Sequence, residues 1–257
     1  MTEKRAAFTF TVCALLLGFG ALIFAEGSVA ATPKKKKKKK QKSSIAIAHG
    51  SHFTPTMTGA PGTVKYYFFP AKIGTQWTLR TVQLLLDSKG KLARADTLYS
   101  ESLVIDTNRF SLQGLPLMVT SDTAYKSTGI GVRSESVYYV EDSVAMTVFN
   151  NSIANEDNRI FLVAPITLRN AWHEKYEDTT VTAIAGFVDS VITPFGRFDS
   201  VLVTLTQKEY SDMRNYYAPG HGIVKTIYRS SGPGGRGLVI VTTEMIAFKN
   251  PQAQEKH

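Results

Sequence analysis

Two textures of hydrophobicity divide this chain. Residues 6–25 are almost unbroken apolar, whereas from about residue 64 apolar positions come in short runs, many alternating with polar ones. Alternation over four to eight residues between turn formers predicts β-strands. The pattern places them at residues 77–86, 91–105 (one strand or two), 117–120, 132–140, 144–149, 160–163, 181–188, 201–206, 223–228 and 238–248. Turn clusters separate them, including Asp87-Ser88-Lys89-Gly90, Asp106-Thr107-Asn108, Glu141-Asp142-Ser143, Asn150-Asn151 and Gly232-Pro233-Gly234-Gly235. Residues 170–177 alone read as a short helix. The expected fold is all-β: a single antiparallel, strongly curved sheet of about 9–11 strands, as a barrel, half-barrel or sandwich.

The sidedness of individual strands refines this picture. In residues 201–206, Val201, Val203 and Leu205 make one apolar face and the other face is mostly polar, as in a sheet with one wet side. In residues 238–248 both faces are apolar, with Leu238, Ile240 and Ile246 on one and Val239, Val241 and Met245 on the other. A mixture of one-sided and two-sided strands fits a curved sheet that encloses either side chains or an apolar ligand.

The first apolar stretch has another role. Lys4 and Arg5 precede it, and the small residues Ser28-Val29-Ala30-Ala31 follow it, which is the pattern of a cleaved secretory signal peptide over residues 1–31. The expected organisation is then a Lys-rich linker over 32–63, a β-rich domain over 64–250 and a polar tail over 251–257. Export to the periplasm or cell surface follows from this reading. The alternatives are an inner-membrane anchor through residues 6–25, which are long enough to span, and cytoplasmic retention. The positive-inside rule favours the latter, because it keeps nearby lysines on the cytoplasmic side.

Charge is concentrated in one place. The formal charge is +9, but removing residues 1–31 and the eight lysines Lys34, Lys35, Lys36, Lys37, Lys38, Lys39, Lys40 and Lys42 leaves 20 basic against 19 acidic residues. The lysine block reads either as a solvated spacer or as a tether to anionic lipid or polysaccharide. Nucleic acid is excluded as a partner, since no aromatic residue interrupts the block to stack on bases. The only cysteine, Cys13, lies in the leader, so the mature domain has no disulfide or thiolate chemistry.

Catalytic signatures are lacking, and the reading is of a non-enzyme without cofactor. No G-x-S-x-G elbow occurs, and the glycine-rich run 232–237 lacks the Lys-Ser/Thr of a phosphate loop. Metal binding would need His173 and His221 together with a carboxylate such as Glu174, Glu177 or Asp178. Asn151, Asn155, Glu156, Asp157 and Asn158 miss the spacing of a calcium loop and read as a polar loop.

Three segments carry a resemblance. Residues 68–78 (Phe-Phe-Pro-Ala-Lys-Ile-Gly-Thr-Gln-Trp-Thr), the hairpin 193–203 around Pro194 and Gly196, and residues 216–225 (Tyr-Tyr-Ala-Pro-Gly-His-Gly-Ile-Val-Lys) resemble a family of uncharacterised exported bacterial β-domain proteins. The resemblance spans about residues 66–248. It implies an envelope location and a β-fold, and no catalytic residue. The same residues have structural roles on physical grounds. Pro70 ends an extended segment, Gly74 permits a turn and Trp77 starts a strand with a large surface to bury. Tyr217 covers a barrel end, and Pro219, Gly220 and Gly222 allow a tight turn or bulge. The expected function is a structural or interaction role in the bacterial envelope. The alternative is a periplasmic carrier of a lipid or other apolar small molecule held in the curved sheet.

Overall fold

A computed structural model describes residues 61–251 apart from 69, 127, 128, 130, 174–179 and 232–236. The leader, the lysine block, most of the linker, the carboxylates Glu174, Glu177 and Asp178, and the glycine-rich tip 232–236 lie outside the described residues. Twelve strands follow one another: β1 (Gln76–Leu86), β2 (Leu92–Phe110), β3 (Pro116–Lys126), β4 (Val132–Val140), β5 (Val144–Thr147) and β6 (Ile160–Val163), then β7 (Ala171–His173), β8 (Val181–Ile192), β9 (Arg197–Lys208), β10 (Ser211–Ala218), β11 (Gly222–Ser231) and β12 (Leu238–Lys249). Among the described residues the only helical element is the 3-10 turn Lys65–Tyr67.

All twelve strands belong to one antiparallel sheet, in the order β6-β5-β4-β3-β2-β1-β12-β11-β10-β9-β8-β7. Each strand pairs with its chain neighbour, except that β6 and β7 form the two free edges and β1 closes on β12. The sheet curls until it is nearly a closed barrel. Two side chains mark how near. Tyr217 of β10 donates its hydroxyl to the Phe161 carbonyl of β6 at 3.4 Å. Asn170, just before β7, donates its amide to the carbonyls of Val163 and Pro165 at 2.8 and 2.9 Å. A short, covered edge exposes few backbone groups to stray strand pairing.

Three expectations need correction. Residues 171–173 are strand, not helix, because Trp172 has to enter the core (7% exposed) and pairs with Thr182 of β8. The expected turn at 106–108 lies inside the single long strand β2. Bulges between Val104 and Asp106 and between Asp106 and Arg109 absorb it, and Asp106 Oδ1 accepts the Asn108 N–H at 2.8 Å. Finally, strand 201–206 has no wet side. Leu202, Thr204 and Thr206 face the barrel interior and are 0–4% exposed, while Val201 and Val203 are buried on the other face.

Residues 61–75 cross one end of the barrel. Val64 N–H bonds to the Asp142 carbonyl in the β4–β5 turn at 3.0 Å, and Gly220 N–H in the β10–β11 turn bonds to the Tyr66 carbonyl at 2.9 Å. Gly74 (φ +87°) then bonds to Val104 of β2 and turns the chain into β1.

At the opposite end, Gly237 (φ +82°) lies against the β1–β2 turn, and a Cβ there would sit 2.1 Å from the Leu86 carbonyl oxygen. Both the conformation and the space demand glycine, so Gly237→Ala is expected to destabilise the domain by about 1–3 kcal/mol. Urea denaturation would show this as a lower midpoint. An unchanged midpoint would refute the close approach.

Candidate functional site: the barrel interior and its open end

The interior is layered along the barrel axis. Next to the crossing segment lies an aromatic floor. Phe68, Tyr138 and Phe161 have ring centroids 6.2–6.3 Å apart, and Trp77, Leu79, Tyr217, Leu202 and Met245 beside them are no more than 2% exposed. Apart from Phe68 of the crossing segment, these residues come from β1, β4, β6, β9, β10 and β12, so the floor ties the edge strand β6 to the centre of the sheet.

Beyond the floor comes a band of small polar side chains. Thr81, Thr243, Thr226, Asn215 and Thr204 are successive register partners on the five neighbouring strands β1, β12, β11, β10 and β9. Thr81 and Thr243 share a hydroxyl–hydroxyl bond of 2.8 Å, and Thr226 Oγ1 donates to Asn215 Oδ1 at 2.8 Å. Thr204 Oγ1 is buried without a hydrogen-bond partner. Next to this row, Thr182 and Thr206 bond at 2.7 Å. Hydroxyls spend their polarity on one another here, which makes a buried polar layer tolerable.

On the β2–β4 side the band contains a carboxyl. Asp122 is fully buried between its register partners Ser102 and Ser134, and accepts Thr120 Oγ1 at 3.1 Å and Ser136 Oγ at 2.5 Å. Burial pushes this carboxyl above its ordinary value, although the hydroxyls of Ser136, Ser102 and Thr120 pull it back in part. Burial and the nearby Asp122 likewise push the Tyr138 phenol up.

Among the described residues, the far end is less tightly packed. The next inward-facing positions, Gln83 and Leu85 on β1, Leu98 on β2, Tyr228 on β11, and Val239 and Val241 on β12, are only half-buried. The inside therefore grades from a dry aromatic floor, through a hydroxyl band with one carboxyl, to a half-exposed rim where aliphatic side chains stand beside Gln83, Tyr228 and the Arg94–Asp96 ion pair at 2.7 Å. On the outer wall, Glu244 bonds Lys225 at 2.9 Å and Arg80 at 3.2 Å. Burial pushes the Glu244 carboxyl up, but the two cations outweigh it and hold it below its ordinary value.

The residues singled out by sequence sit mainly at the closed end. Pro70 is buried in the crossing segment and Trp77 belongs to the floor. Pro194 occupies a two-residue turn in which Thr193 and Gly196 exchange backbone bonds of 2.9 and 3.1 Å. Pro219, Gly220 (φ +67°) and Gly222 (φ +72°) form the β10–β11 turn around His221. That histidine is buried between Phe198 and Phe248, with Nδ1 at 2.8 Å from the Pro219 carbonyl, and burial pushes its pKa down. His173 is exposed on the edge strand β7. Among the described residues no three His, Cys, Asp or Glu side chains gather as a metal site. Asn158, noted as an oxygen-rich loop position, is a buried brace, accepting Phe149 N–H and donating to the Ser152 carbonyl, both at 2.8 Å.

No family model matches the chain, and no curated protein matches it. Similar solved structures include the crystal structure of a presumed exported protein with a YmcC-like fold from Bacteroides fragilis. It is 14% identical, with a TM-score of 0.45 over 72% of this chain and 100% of that one. A presumed lipoprotein from Parabacteroides distasonis is 15% identical, with a TM-score of 0.36 over 72% of this chain and 98% of that one.

Proposed function

We propose that this chain is an exported, non-catalytic domain of the bacterial cell envelope whose barrel takes up an apolar or amphiphilic molecule at its less tightly packed end. The graded interior carries this reading. Leu85, Leu98, Val239 and Val241 leave apolar surface half-exposed on the inner face of a sheet whose other end is dry and filled. An amphiphile entering there would lay its chain against the aliphatic side chains of the rim and direct polar atoms toward the hydroxyl band. Export rests on the signal-like residues 1–31, and the lysine block Lys34–Lys42 supplies a tether to anionic surfaces.

Mass spectrometry of organic extracts from protein purified without detergent tests the carrier role directly, with a recurrent lipid-like molecule expected. For the site itself, Val239→Ser with Val241→Ser should weaken binding of the neutral fluorophore N-phenyl-1-naphthylamine at least about tenfold, since two aliphatic contacts are lost. Reproducibly empty protein, together with equal probe binding by the variant, would end the proposal.

A further inference from the structure

The tip of the β2–β3 hairpin does not stand alone. β2 and β5 are separated in the sheet by β3 and β4, yet Leu112 N–H bonds to the Asn151 carbonyl at 2.8 Å. Gln113 reinforces the joint, donating Nε2 to Ser152 Oγ at 3.3 Å and accepting Ile153 N–H at 3.2 Å. The two bulges in β2 bend the hairpin and make this contact reachable. Each tip is braced internally as well. Ser111 Oγ accepts the N–H groups of Gln113 and Leu115, and Asn158 pins the loop after Phe149. Asn150 and Asn151 both adopt φ +53°, which Asn tolerates better than most residues.

This bracing holds three large apolar side chains in the open. Phe110 is 61% exposed, Leu112 77% and Phe149 48%. Turn tips ordinarily carry small polar residues, and adjoining exposed apolar residues mark a contact surface. We infer that the joined tips are a membrane-contact point that inserts Phe110, Leu112 and Phe149 into an anionic bilayer. Three side chains fall well short of the roughly 800 Å² per partner of a stable protein interface. Small projecting apolar tips do suit partition into a lipid surface.

The charge pattern names the kind of bilayer. Near the tips in sequence, Arg109 at the end of β2 is offset by the exposed acids Glu156 and Asp157 of the loop after β5, so these residues bring no net positive charge toward anionic headgroups. That attraction falls to the lysines, and here the inference rests on the tether proposed above. The described chain begins just ahead of Val64, which is bonded to Asp142. Phe149 follows Asp142 by seven residues, within about 23 Å even of fully extended chain. In sequence, Lys42 at the end of the lysine block precedes Val64 by 22 residues.

The test uses the mature chain from residue 32, which has no cysteine of its own, with one new cysteine, Leu112→Cys or, at the opposite end, Lys89→Cys. Each carries an environment-sensitive nitrobenzoxadiazole label. On vesicles of phosphatidylglycerol and phosphatidylethanolamine in equal parts, the label at 112 should shift to the blue and become shielded from an aqueous quencher. The label at 89 should stay as in water. Phe110→Ser with Phe149→Ser should lower vesicle affinity at least about tenfold in molar salt, where lysine attraction is screened. A label at 112 that stays aqueous on vesicle-bound protein, or protein that does not bind, overturns the inference. Replacing all eight lysines by serine tests the tether separately. Unchanged low-salt binding would defeat the tether while the label at 112 still reports on insertion.

Discussion

Phe68→Ala is expected to remove about 3–5 kcal/mol of stability, out of the roughly 5–15 kcal/mol that holds an ordinary domain together. Phe68 is 1% exposed and packs against Tyr138 of β4 and Phe161 of β6. It anchors the crossing segment together with buried Val64 and Tyr67, the Lys65–Glu141 ion pair at 2.5 Å, and backbone bonds at Val64, Tyr66, Gly74 and Thr75. Truncation leaves a cavity where the edge strand β6 meets the floor, and the ring of Tyr217 on the far side cannot move in without giving up Phe161. The urea midpoint should fall sharply with the slope unchanged. Phe110→Ala is the control. That ring is 61% exposed, so its loss should change stability by no more than about 0.5 kcal/mol. Equal midpoints for the two variants would mean that the crossing segment does not close the barrel.

How much of this was legible from sequence depends on which force shaped each segment. Residues 132–140 and 160–163 match β4 and β6 because alternation or an apolar run there meets burial directly. β10 was not foreseen. Its inward residues are Met213, Asn215 and Tyr217, and a row with Asn at its centre has no apolar alternation to detect. The hydroxyl band was hidden for a related reason. Thr204 and Thr206 look like a solvated face by themselves, and only closure of β1 on β12 turns that face inward. Asp122 gave no sign at all, since its three hydroxyl partners come from β2, β3 and β4. A floor built on Trp77 and Tyr217 could be guessed from two large aromatics at strand positions. A polar core could not, because its partners meet only in the barrel.

The same band yields the second large expected effect. Asp122 is buried, its partners are the hydroxyls of Ser102, Thr120 and Ser136, and none of them is a cation. Burial holds this carboxyl above its ordinary value of 3.8, so the folded state favours the protonated form. The sign follows from linkage. The stabilisation is complete below the ordinary value and is lost as pH rises through the raised one. Asp122→Asn keeps an acceptor for Thr120 and stays neutral at every pH. It is expected to match the native protein in acid and to exceed it at neutral pH. Asp122→Ala should instead lie about 1–3 kcal/mol below the asparagine variant at all pH values, since buried hydroxyls lose their acceptor. Urea midpoints of the three proteins from pH 3 to pH 8 separate the cases. If the asparagine variant is the less stable one at neutral pH, the ionised carboxylate is supporting the fold, and the hydroxyls around it outweigh the burial penalty. If it is the more stable one, the acid is a cost that folding alone does not explain, and probe binding at the far end becomes the measurement in which its value should appear.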